Sequence, residues 1–336
     1  MTTSTTDTAA LFAFIKKVAA RVEQTMRADL DQALIGNDPL LSRVLEYALL
    51  NGGKRVRPML AVISSRLCGR DDDELYLLAT AFEYLHVATL IHDDVIDHAE
   101  NRRGVEAVGK KFGIAAAILA GDWLHARSMH LIGTLAGQQG LDIFCDATMA
   151  MVDGEFLQLR HVADTAVTEE QYFAVIQRKT ASLISSTCEI GALFGGGTAD
   201  QVAALATYGR KIGIGFQIVD DLLDYLGDEQ ATGKQVGNDF IEGKLTLPLI
   251  HALSQAGEEN KNILLNCIRG DRSLAGACDT ARQLMRNLKS FEFSRQKARQ
   301  EVKEGLSRLT IFDRDQHGES LAILEGLAGY ILTRDR

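Results

Sequence analysis

The stretch LIHDDVIDHAENRRG, residues 90–104, decides how this chain is read. An apolar run leads into three carboxylates, Asp93, Asp94 and Asp97, and two arginines, Arg102 and Arg103, follow. On a helix Asp93 and Asp97 share a face, with Asp94 about 100° round. Like charges at that spacing cost a helix roughly 0.2–0.5 kcal/mol. The pattern nevertheless returns in GFQIVDDLLDYLGD, residues 215–228, as Asp220, Asp221 and Asp224. One such cluster is an ordinary solvated helix end, but two, each closing an apolar helix, point to neutralisation by a divalent cation. Carboxylate oxygens with no Cys or His partner suit Mg²⁺ or Mn²⁺, and Mg²⁺ shares its shell readily with phosphate oxygens. Cations stand nearby in sequence: Lys234 and Lys244 after the second cluster, and Lys54, Arg55 and Arg57 in the turn NGGKRVRP, residues 51–58. Guanidinium and ammonium groups bind phosphate oxygens. The residues therefore describe a phosphorylated ligand with a greasy portion lying along the apolar helices.

Working outward, the 336 residues are 46% hydrophobic and 24% charged, with three prolines. That is the composition of a globular, strongly helical chain with a sizeable core. The net charge of −9 leaves no basic stripe for nucleic acid. Five scattered cysteines form no CxxC pair and point to a reducing, cytoplasmic setting. The opening MTTSTTDTAA carries no targeting pattern, and residues 1–8 are expected to fray. No uninterrupted apolar run of about 18 residues predicts a membrane span.

Apolar periodicity predicts helices over 8–35, 38–50, 58–67, 74–98, 106–136, 141–160, 168–194, 199–226 and 243–255, with four more across 258–333. The acidic run DDDE, residues 71–74, reads as the capped start of the helix that carries the first cluster. No hairpin signal interrupts the helices. The expectation is one all-α domain spanning residues 1–336.

In this order, GGKRVRP (52–58), EYLHVATLIHDDVID (83–97), RRG (102–104), LAGDWL (119–124), GEFLQL (154–159), RKTASL (178–183), GFQIVDDLLDY (215–225) and GKQVGNDFIEGKLTLPLI (233–250) resemble the trans-isoprenyl diphosphate synthases, or polyprenyl synthetases. The resemblance implies a single-domain helical bundle around a deep central cavity, generally as a homodimer. It implies head-to-tail condensation of isopentenyl diphosphate with an allylic diphosphate such as farnesyl or geranyl diphosphate. Asp93, Asp97 and Asp220 would hold Mg²⁺, with Mn²⁺ a substitute, and Asp94, Asp221 and Asp224 would complete the acidic walls. Arg102, Lys179, Lys234 and Lys244 would grip the allylic diphosphate, with Thr180 and Gln217 beside them. Lys54, Arg57, His86 and Arg103 would form the isopentenyl diphosphate site. Transient membrane contact would accompany release of the product. His92 and His98 sit beside the first cluster, but the family's mechanism gives the proton to released diphosphate rather than to a side chain.

Product length depends on the helix before Asp93. The resemblance implies that bulky aromatics four or five residues earlier stop growth, and here those residues are the small Thr89 and Ala88. Leu85, Phe82, Ala81, Trp123, Arg127, Ser128 and Met129 are the next candidates to line the slot. The wording of both clusters is most like the long-chain, octaprenyl-type bacterial enzymes that make quinone tails. A geranylgeranyl-length synthase and a non-catalytic partner subunit are the alternatives; the complete set of aspartates argues against the second.

Overall fold

Asp72 starts the helix on which the site is built. Its carboxylate accepts the Leu75 N–H at 3.1 Å, and Asp73 and Glu74 occupy the first turn, where acids complement the helix dipole. The computed structural model describes residues 5–50, 52–227, 237–274 and 276–334, with side chains from Leu11 onward. The capped helix, α4, runs Asp73–Ile96 after α1 (Thr5–Ala33), α2 (Pro39–Leu50) and α3 (Val56–Leu67). Residues on every side of α4 are buried, among them Leu75, Leu78, Phe82, Tyr84, Leu85 and Ala88. A helix apolar all round belongs in a core. Among the described residues it is the one helix that meets length and composition limits for crossing a membrane, yet 72% of that window is buried within the protein.

A small ribbon follows, β1 (Asn101–Arg102) paired antiparallel with β2 (Val105–Glu106). Its two turn residues, Arg103 and Gly104, both have positive φ, at 53° and 81°, the geometry of a tight hairpin turn. This is the one strand pair among the described residues of an otherwise helical chain, and two-residue strands leave no periodic signal in the sequence. Then come α5 (Val108–Phe112), α6 (Ile114–Arg160), α7 (Glu169–Ile176), a π-turn over Gln177–Ala181, α8 (Ser182–Phe194) and α9 (Ala199–Leu226). Gly137 breaks α6 into two arms with φ 67° and ψ −166°, at the gap expected between 136 and 141. The chain continues through α10 (Asn238–Glu242), α11 (Leu247–Gln255), α12 (Glu258–Arg269), α13 (Ala277–Asn287), α14 (Ser290–Ser307) and α15 (Arg314–Thr333).

Helix α1 begins at Thr5, within the stretch 1–8 expected to fray, and residues 1–4 lie outside the described set. The helix expected over 243–255 begins at Leu247, because Gly243 adopts φ 81° and Pro248 suits only a first turn. The segment 271–290 yields the shorter α13, ended by Lys289 in the left-handed region. The three most extensive helix pairings are α4 with α6, α8 with α9, and α9 with α14. The two aspartate-bearing ends, of α4 and α9, thus open onto one region of the bundle.

Candidate active site

Between those ends lies a cavity of about 320 Å³. Asp93 and Asp97 of α4 line one wall, and Asp220 and Asp221 of α9 line another. Asp239 of α10 joins them, and the cations on the lining are Arg102, Lys179 and Lys244. Leu90, Val167, Val175, Ile176 and Leu245 supply its apolar surface. This is the size and mixed chemistry of a small-ligand site.

The acidic wall is under electrostatic stress. Burial raises Asp93 above the ordinary carboxylate range, aided by Glu155 and Asp97 and opposed by Lys179. Burial likewise raises Asp97, with Lys244 opposing. Burial and then Asp239 push Asp221 well up, although the Tyr172 hydroxyl (2.6 Å) and the Gln217 amide (2.8 Å) both donate to it. Asp239 is raised by its own burial, against the pull of Lys244. The cations are already engaged: Lys179 Nζ reaches Glu155 at 2.5 Å and Gln158 at 2.7 Å. Lys244 lies 2.5 Å from Glu242 and 3.7 Å from Asp239, and these acids hold it above its usual value although burial opposes them.

Lys179 and Thr180 are aimed by the π-turn, a local widening common at functional sites. The turn lies hard against α6, where a Cβ at Gly154 would come within 2.5 Å of the Lys179 nitrogen. Gly154 of the GEFLQL segment is therefore a packing requirement. Thr180 Oγ1 donates to Gln217 at 2.9 Å, completing a chain from Thr180 through Gln217 to Asp221.

Two of the six expected metal-side aspartates are turned to other work. Asp94, a step round α4, is buried and accepts from Arg102 Nε at 2.8 Å, with Arg102 Nη2 also on the same oxygen. Asp224 accepts the backbone N–H groups of Asn238 and Asp239, each at 3.1 Å, and so fixes α10 onto α9. Burial lifts Asp224 to about 7, with Asp239 adding to the rise. Neither Asp94 nor Asp224 lines the cavity. Asp239, Tyr172, Gln158 and Glu155 do not follow from the repeated spacing, because tertiary packing brings them to the site.

The second cation group assembles beside the turn at 52–58. Burial lowers His86 well below its usual value, and Arg57, Arg103, Arg55 and Arg102 all press in the same direction, so the imidazole is neutral. Arg57 is lowered by burial, and its Nε has no hydrogen-bond partner among the described residues. Arg103 Nη1 donates to the Gly52 carbonyl at 2.6 Å, and Lys54 Nζ to the Tyr330 hydroxyl at 3.0 Å. Arg55, expected as an available cation, is instead buried in an ion pair with Glu83 and donates to the Leu49 carbonyl at 2.7 Å. Lys234 lies outside the described residues.

Residues 38–285 match the polyprenyl synthetase family. The chain belongs to that family. It is 35% identical over 316 residues to octaprenyl diphosphate synthase of Haemophilus influenzae, covering 94% of this chain and 95% of that one. The crystal structure of polyprenyl synthase from Caulobacter crescentus CB15, complexed with calcium and isoprenyl diphosphate, superposes with a TM-score of 0.87 at 31% identity, covering 98% of both chains. A decaprenyl diphosphate synthase from Rhodobacter capsulatus superposes at 0.85 with 34% identity, covering 96% of this chain and 99% of that one. The fold is the all-α isoprenoid synthase fold.

As in a polyprenyl synthetase, the donor set suits a hard divalent cation. Asp93, Asp97, Asp220 and Asp239 offer oxygen ligands, and burial works against their unneutralised charge at Asp93, Asp97 and Asp239. Among the described residues no three acidic, imidazole or thiol groups already converge as a metal cage. A cation that brings phosphate oxygens with it fits such opposed walls. Of the expected chain-length residues, Leu85 and Ala88 are buried in the core, and Thr89 donates to the His86 carbonyl at 2.8 Å. Trp123 packs, partly buried, against the same core. The cavity lining includes none of these four, and Leu90 is the residue of this segment of α4 that it does include. Arg127 pairs with Asp29, and Ser128 donates to the Ala81 carbonyl at 2.9 Å, so both serve helix packing rather than the slot.

Proposed function

We propose that this polyprenyl synthetase condenses isopentenyl diphosphate head-to-tail with an allylic diphosphate, farnesyl or geranyl, to give a long-chain all-trans polyprenyl diphosphate of octaprenyl type. The observation that carries the reading is a single cavity lined by carboxylates from both aspartate clusters and by Arg102, Lys179 and Lys244. The octaprenyl and decaprenyl activities of the named relatives support the length.

In this reading Asp93, Asp97 and Asp220 hold Mg²⁺, with Asp239 near them. Mg²⁺ held there would supply positive charge that favours loss of diphosphate from the allylic carbon. Arg102, Lys179 and Lys244 face the departing group and stabilise the charge that grows on it. Lys234 belongs to the same set on the strength of its motif. Lys54, Arg57, His86 and Arg103 orient isopentenyl diphosphate so that its double bond meets the allylic cation. Tyr172 and Gln217 keep Asp221 fixed on the wall. The new double bond forms when a proton leaves for the released diphosphate, so no side-chain base is required.

Self-association into a homodimer is part of the proposal. Helix α6 exposes Leu119 and Phe156 by about two thirds each (65% and 67%), with Met149 and Val152 also uncovered. Apolar side chains in such number on one helix suit a partner surface. The testing experiment incubates purified protein with farnesyl diphosphate, isopentenyl diphosphate and Mg²⁺ and sizes the product. An octaprenyl-range product is expected; a product stopping at geranylgeranyl length would shorten the assignment, and no elongation would favour a partner subunit. Ala88→Phe should shorten the product, and an unchanged length would remove that face of α4 from the tail's path.

A further inference from the structure

Just beyond α15, a side chain that no motif singled out reaches the second aspartate cluster. Arg334 caps the helix through its backbone N–H, which donates to the Tyr330 carbonyl at 2.9 Å. Its guanidinium Nη2 donates to Asp220 Oδ1 at 3.0 Å and to the Phe216 carbonyl at 3.1 Å. The guanidinium carbon lies 4.1 Å from the centre of the Phe216 ring. The Arg334 side chain is 8% exposed while that of its partner Asp220 is 54% exposed. Asp220 thus meets the cavity on one side and a permanent cation on the other.

The turn that carries Arg334 is itself anchored. Tyr330 accepts from Lys54 Nζ at 3.0 Å and makes an edge contact with Phe12, ring centres 5.3 Å apart. The backbone can therefore stay in place while the arginine side chain moves. The grip on Asp220 is light. A single nitrogen serves both acceptors, not the paired fork that makes arginine–carboxylate contacts strong. The buried Nε has no hydrogen-bond partner among the described residues. After release, the guanidinium would keep its stacking on Phe216 and its carbonyl bond, which offset part of the cost of parting from Asp220.

We propose that Arg334 is a latch on Asp220: it neutralises this carboxylate in the metal-free protein and yields it when a divalent cation arrives. The latch rests on the reading of Asp220 as a metal ligand. It makes cation binding at this wall a displacement, with one positive charge leaving as another enters. Arg334 is a positioning residue in this scheme and touches no reacting atom.

The experiment counts free Mn²⁺ by electron paramagnetic resonance during titration of the substrate-free protein. Removing the competing charge in Arg334→Gln should tighten Mn²⁺ binding by about two- to fivefold, the range expected for loss of one partly exposed ion pair. Arg334→Met, which keeps an apolar stem against Phe216, should do the same, and Arg334→Lys should return towards the wild-type affinity. Asp220→Asn should weaken binding clearly. Unchanged or weaker Mn²⁺ binding in both uncharged variants, with Asp220→Asn still weakened, would overturn the latch and leave the metal assignment standing. Unchanged binding in Asp220→Asn would overturn the metal assignment and the latch with it.

Discussion

The two aspartate clusters have the same spacing and opposite surroundings. At the end of α4 the charge is balanced by cations: Asp94 is held by Arg102, and Asp93 and Asp97 feel Lys179 and Lys244. At the end of α9 it is balanced largely by hydrogen bonds. Asp221 takes Tyr172 and Gln217, Asp224 takes two backbone N–H groups, and Arg334 holds Asp220 from outside. At the first wall Lys179 and Lys244 oppose the rise that burial imposes on Asp93 and Asp97. The second lets protons and neutral donors carry part of that load, so it is the softer of the two.

Removing a carboxylate from either wall should break the comparison most severely. Asp93→Asn and Asp220→Asn should each lower kcat by about a hundredfold or more, as loss of a charge-stabilising contact at a reacting centre does. Steady-state rates with far-ultraviolet circular dichroism as a control would decide it, and near-normal turnover in either variant would take that wall out of the chemistry. A smaller effect should separate the two kinds of support. Tyr172→Phe removes one donor from buried Asp221 and should cost about 1–3 kcal/mol of stability by urea unfolding. Arg102→Ala leaves Asp94 buried without its ion-pair partner and should cost at least as much. Tyr172→Phe emerging as the costlier variant would reverse the assignment of soft and hard walls.

These differences mark how far the sequence could be read. Helix positions were legible because apolar residues recur at helical spacing, and the paired clusters because their charges close apolar segments. The fates of Asp94 and Asp224 were not, since each depends on a partner brought in by tertiary packing: the arginine of a four-residue ribbon and the N-terminus of a one-turn helix. Arg55 resembled its neighbours Lys54 and Arg57 in a basic turn, yet burial against Glu83 removes it from the available cations. Tyr172 and Arg334 lie far along the chain from the residues they meet. The broken arms of α6 were visible because Gly137 interrupts the pattern, whereas the π-turn at Lys179 keeps ordinary helical composition and hides its extra residue.

The smallest expected effect concerns pH. Burial holds Asp224 at about 7 in the folded chain, against an ordinary 3.8. Between those values the folded state carries more of this proton than the unfolded state does. This group's contribution to stability must therefore fall as pH rises from about 4 to about 7, and change little above that. Melting temperatures of metal-free protein across this window should decline less steeply in Asp224→Asn than in wild type. Parallel curves would remove Asp224 from the pH response.

The ribbon of β1 and β2 has a consequence for timing as well as place. Its turn at Arg103 and Gly104 sends two adjacent guanidiniums to different anchors, Asp94 for one and the Gly52 carbonyl for the other. Under the proposed reaction these arginines serve the two molecules being joined. That short ribbon would then act as a gauge, holding two mutually repelling diphosphates at one separation through every round of elongation. The spacing at the reacting end would stay constant while the hydrocarbon behind it lengthens, so each added unit would meet the same geometry as the first.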